Sequence, residues 1–93
     1  MKIPPKIKIG GHLFDVEYSS EDRTGYERSG TKFGWTNKIR IQKDMVQSKK
    51  EVTLFHEIFH EIDYQHGLEI GERIINTLAE CWYQILKDNG WLK

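Results

Sequence analysis

Thr53 to Gly67 reads TLFHEIFHEIDYQHG, in which histidines and acids alternate with apolar residues. Within it, His56-Glu57-Ile58-Phe59-His60 spells H-E-x-x-H. On an α-helix the two histidines lie about 40° apart around the axis and about 6 Å apart along it, so two imidazoles can converge on one metal ion. Glu57 points about 100° from His56, too far round to ligate comfortably beside it. It can still reach a metal-held water and serve as general base. The spacing therefore predicts a metal hydrolase site with His56 and His60 as ligands and Glu57 as the catalytic carboxylate. The competing reading is that both histidines merely edge the apolar stripe Val52, Phe55, Phe59 and Ile62 of an amphipathic helix.

A catalytic zinc site takes three protein ligands and leaves one position for water. Three residues are candidates for the third ligand. His66 would complete H-E-x-x-H-x-x-D-x-x-H, near the metzincin pattern, but Asp63 stands where metzincins carry the glycine that turns the chain. In an unbroken helix His66 would sit about 15 Å from His56, and no methionine follows the motif. Glu80 fits better. If residues 67–70 join two antiparallel helices, Glu80 comes level with Glu57, on the polar side of its helix with Asn76 and Tyr83. Glu72 comes level with residue 65, and as an acid in a first helical turn it is already accounted for by the helix dipole. Glu80 is thus the expected ligand, with Glu72 and His66 as alternatives.

These residues must be positioned by a small domain. The 93-residue chain is 38% apolar and 30% charged, with 14 basic and 14 acidic residues, a soluble-globule composition that argues for neither nucleic acid nor an anionic membrane as partner. One cysteine, Cys81, permits no internal disulfide, and the opening MKIPPKIKIGG lacks the apolar run of a signal peptide, so a cytoplasmic protein is expected. KIKIGGHLFDVEYS reads as a β-hairpin turning at Gly10-Gly11, Ser20 to Gly34 as a loop, and NKIRIQ as a strand. Ser48 and Glu51 suggest a capping box opening a helix from Lys49 to about His66, closed by Gly67. A second helix should run from about Gly71 to Lys87 and stop at Asn89-Gly90, with Ile74, Ile75, Leu78, Cys81, Trp82 and Ile85 as its apolar stripe. The expectation is an α+β fold in one domain, residues 1–93: a small antiparallel sheet followed by two helices.

The His56–His60 motif with Glu80 twenty residues on resembles the gluzincin pattern of zinc metallopeptidases. The run from Thr53 to Gly90 looks like small metallopeptidase-like proteins of phages and prophages, distantly of the ImmA/IrrE type. That resemblance implies a minimal zincin-like domain holding one zinc ion per chain at His56, His60 and Glu80, with Glu57 catalytic and a peptide or protein as substrate. Gluzincins often place an aspartate three residues after the glutamate ligand to orient a histidine. Here that residue is Gln84, with Asp63 as a substitute. Zincins also bind substrate along a sheet-edge strand, for which Lys38 to Gln42 is the candidate, while Tyr83, Tyr64, Tyr26 and His66 are candidate donors to the oxyanion. The alternative is a non-catalytic zinc-binding interaction domain. It would be marked by a closed site in which His66 or Asp63 fills the water position. A metal-free interaction domain is the third reading.

Overall fold

A computed structural model describes residues 1–20 and 37–92 in full and the backbone of 25–28. It is an α+β fold in which strands β1 (Lys6–Ile9), β2 (His12–Ser19), β3 (Gly25–Arg28) and β4 (Asn37–Gln42) precede helices α1 (Gln47–His66) and α2 (Glu72–Asp88). The sheet order is β1-β2-β4-β3. Gly10 and Gly11 turn the first hairpin with φ of 60° and 85°, between the paired Ile9 and His12. Two successive positive φ values make the tight turn whose twist suits flanking strands, and glycine adopts them without strain.

The sheet is mixed rather than antiparallel. β2 and β4 run parallel, Val16 opposite Ile39 and Tyr18 opposite Ile41, because β3 intervenes and pairs antiparallel with β4. Two chain reversals instead of one bring β4 back in the direction of β2. β3 falls inside the stretch expected to be a loop; the remainder of that stretch, with Trp35, lies outside the described residues.

Alternation in β2 and β4 turns Phe14, Val16, Ile39 and Ile41 to one face. There they bury with Ile9 and with Leu54 of α1, and Ile58 and Ile62 pack on them. The other side of α1 receives α2, which buries Ile75, Ala79 and Tyr83. The molecule is therefore three layers deep, with α1 in the middle. This position explains why α1 buries Glu51, Glu57 and Glu61 as well as Leu54: a helix covered on two sides has too little solvent-facing surface for all its acids.

The expected capping box is not formed. Val46 occupies the N-cap with no side-chain bond, and Ser48 lies inside the first turn. Glu51 instead accepts a 2.8 Å hydrogen bond from the Tyr83 hydroxyl and faces the Met1 ammonium at 3.9 Å. Helix ends match expectation: Gly67 is left-handed at φ 59° after α1, and α2 ends at Asn89-Gly90, with Gly90 at φ 71°.

Candidate metal centre

The turn between the helices delivers the site. Leu68 N–H bonds the Asp63 carbonyl and Ile70 N–H bonds the Asp63 carboxylate, both at 3.2 Å. Gly67, Glu69 and Gly71 all take positive φ, so the chain reverses tightly and α2 begins at once with Glu72. Asp63 thus fixes the turn and does not orient His56.

His56 and His60, one turn apart on α1, face each other with Nε2 atoms 3.0 Å apart. Glu72 bridges them: one carboxylate oxygen is 2.7 Å from His56 Nε2, the other 2.7 Å from His60 Nε2. Among the described residues these three form the group whose donor atoms all lie within 4.8 Å of one another. Glu80, the ligand expected from sequence, is not in that group. It lines the same cleft, but eight residues further along α2, about 12 Å away along the axis. The level argument placed Glu80 in the cleft that also holds the histidines, while Glu72 is the acid within reach of both. It treated Glu72 as a dipole-stabilising acid, whereas the first residue after a tight turn swings its carboxylate onto the neighbouring helix. His66 is exposed at the last position of α1, and Gln84 donates to Asp88 at 2.8 Å, so neither supports the histidines.

The donor set fits a first-row divalent ion. Zinc–nitrogen and zinc–oxygen bonds of about 2.0–2.1 Å at tetrahedral angles place ligand atoms about 3.3 Å apart. The two imidazole nitrogens are 3.0 Å apart, and each lies 2.7 Å from a different Glu72 oxygen, closer than ligands around an ion. Each separation must open by about 0.3–0.6 Å to admit the ion, and the Glu72 side chain, 61% exposed, is the one with room to give. Two borderline imidazole nitrogens with one hard carboxylate oxygen make a set that zinc accepts readily.

Glu57 is only 6% exposed and lines the cleft beside both histidines. Burial pushes its carboxyl up to about 7; His60 opposes the shift and Glu72 adds to it. A carboxylate with that proton affinity is matched to exchanging protons near neutrality. The cleft between the helices has a volume of about 850 Å³, within the range of ligand-holding pockets.

Other expected features move. Lys38 to Gln42 lies in β4, an interior strand, so it offers no free edge to a peptide; the edges belong to β1 and β3. Tyr83 lines the same cleft and packs against Phe55, but its hydroxyl is committed to Glu51. Tyr64 is largely exposed one turn past His60, and the Tyr26 side chain lies outside the described residues.

No family, curated protein or solved structure matches this chain. Among the described residues no helix is long and apolar enough to cross a membrane.

Proposed function

We propose that this chain is a zinc-dependent peptide hydrolase of minimal zincin type, in which His56, His60 and Glu72 hold one zinc ion and Glu57 is the general base. The observation that supports it most is the convergence of two imidazole nitrogens and a bridging carboxylate beside a buried glutamate of raised proton affinity, at one end of an open cleft. Zinc held by His56, His60 and Glu72 would supply a Lewis acid and would acidify a water toward neutrality. Glu57 would act as the base that takes a proton from the attacking water and would return it to the amine as the C–N bond breaks. The cleft runs from the histidines toward Lys49 and Tyr83 and gives an extended peptide room along the helix pair.

A closed, purely structural site would need a fourth protein ligand. Asp63 is held by the turn and His66 stands apart, which favours the hydrolytic reading over the interaction-domain one. The test is metal content per chain by elemental analysis in wild type, Glu72→Ala and Glu80→Ala. About one zinc in wild type and Glu80→Ala, with most of it lost in Glu72→Ala, is expected. A chain that takes up no zinc after incubation with it would overturn the proposal.

A further inference from the structure

α2 carries apolar residues over more of its surface than α1 can cover. At about 100° per residue, Ile75, Ala79 and Tyr83 turn toward α1 and are buried. Ile74, Leu78, Trp82 and Ile85 occupy a separate arc of about 80° and are 52%, 42%, 42% and 37% exposed. Thr77, Cys81 and Asp88 flank the stripe on one edge, while Arg73, Glu80 and Lys87 lie on the far side, so no charge falls within the arc itself. Leu68, just before α2, and Trp91, just after it, are 52% and 63% exposed. Together these six side chains present roughly 500 Å² of apolar surface, toward the upper end of the largest patch a monomer ordinarily leaves in water.

The pattern is self-complementary. About a midpoint between residues 79 and 80, Leu68 mirrors Trp91, Ile74 mirrors Ile85, and Leu78 mirrors Trp82 to within one residue. Two antiparallel copies of α2 related by a twofold axis at that level would bring each apolar residue opposite another. A shallow depression lined by Ile70, Ile74, Thr77 and Leu78, with Glu72 and Arg73 at its rim, lies beside the N-terminal half of the stripe, where the partner's Trp82 would come to rest. We propose that two copies of this chain associate through this face of α2, in an isologous interface. The six side chains of each copy bury roughly 1,000 Å² in total, near the lower limit for specific association, so dissociation in the micromolar range is expected. The arc centred on this stripe is turned about 160° from the one carrying Glu72, Asn76 and Glu80, so the cleft between α1 and α2 stays open in the dimer.

Sedimentation equilibrium of the full chain, from micromolar to submillimolar concentration, tests this. The mass should rise from 11.0 kDa toward twice that value, and Leu78→Glu should stay at the monomer mass with unchanged circular dichroism and zinc content. Cys81, the chain's one cysteine and exposed, borders the stripe close to the axis. A short bismaleimide should therefore join two copies of wild type and fail to join Leu78→Glu. A monomer mass at the highest concentration would overturn the proposal. So would a Leu78→Glu chain that unfolds, since that would assign the stripe to a segment of the same chain.

Discussion

Glu57 must be buried to be basic and ionised to act, and these demands conflict in the folded chain. Its carboxyl is raised from 4.5 to about 7, so between those pH values the folded chain keeps a proton that the unfolded chain has lost. In metal-free protein the penalty is absent below about pH 4.5, grows as pH rises, and is complete above about 7, on the order of 2–3 kcal/mol. Metal-free Glu57→Gln should therefore resist urea better than wild type above neutrality and equally well near pH 4. With zinc restored, the same variant should keep its metal and lose at least about a hundredfold in peptide turnover. Turnover within about tenfold of wild type would remove Glu57 from the role. At this scale the approach of His56 to His60 and the position of Glu57 beside them were legible, because both depend only on helical periodicity. Glu72 was not, because its placement depends on a turn built from Asp63, Gly67 and Gly71.

At the scale of elements, helix ends set by glycine could be read from sequence, while the start of α1 could not. Ser48 and Glu51 have capping-box spacing, but Glu51 serves the contact between helices, meeting Tyr83 thirty-two positions away. Local spelling yields to a long-range partner when the carboxylate is buried, because an unpaired one costs more than a missing cap. Tyr83→Phe removes the donor to Glu51 and should cost about 1–3 kcal/mol in urea unfolding. It should leave zinc content unchanged, since the hydroxyl is committed to Glu51. Zinc lost together with stability would mean that the helix pair moves as one and that the two regions are not separable. The direction of β4 was illegible for a related reason: β3, Gly-Tyr-Glu-Arg, is too short and polar to show strand alternation.

For the whole molecule, the composition of layers was only half legible. Apolar periodicity marks both helices as amphipathic, and the sheet face of Phe14, Val16, Ile39 and Ile41 follows from alternation. Periodicity does not say which helix lies in the middle, however: of the α2 stripe read from sequence, Ile75 is buried while Ile74, Leu78, Trp82 and Ile85 are exposed. The order of the layers also separates near contacts from distant ones. The proposed ligands and base fall between residues 56 and 72, on two helices and the turn joining them, whereas the parallel pairing of β2 with β4 must close a gap from Phe14 to Asn37. Local contacts form before distant ones during folding, because less chain entropy is lost in making them. The helical hairpin should thus gather its ligands while the sheet is still unpaired, and zinc should act on the transition state as well as the native state. Stopped-flow refolding with and without zinc is expected to show a faster folding limb and a nearly unchanged unfolding limb. If zinc instead only slows unfolding, the sheet comes first and the metal seals a chain that has already folded.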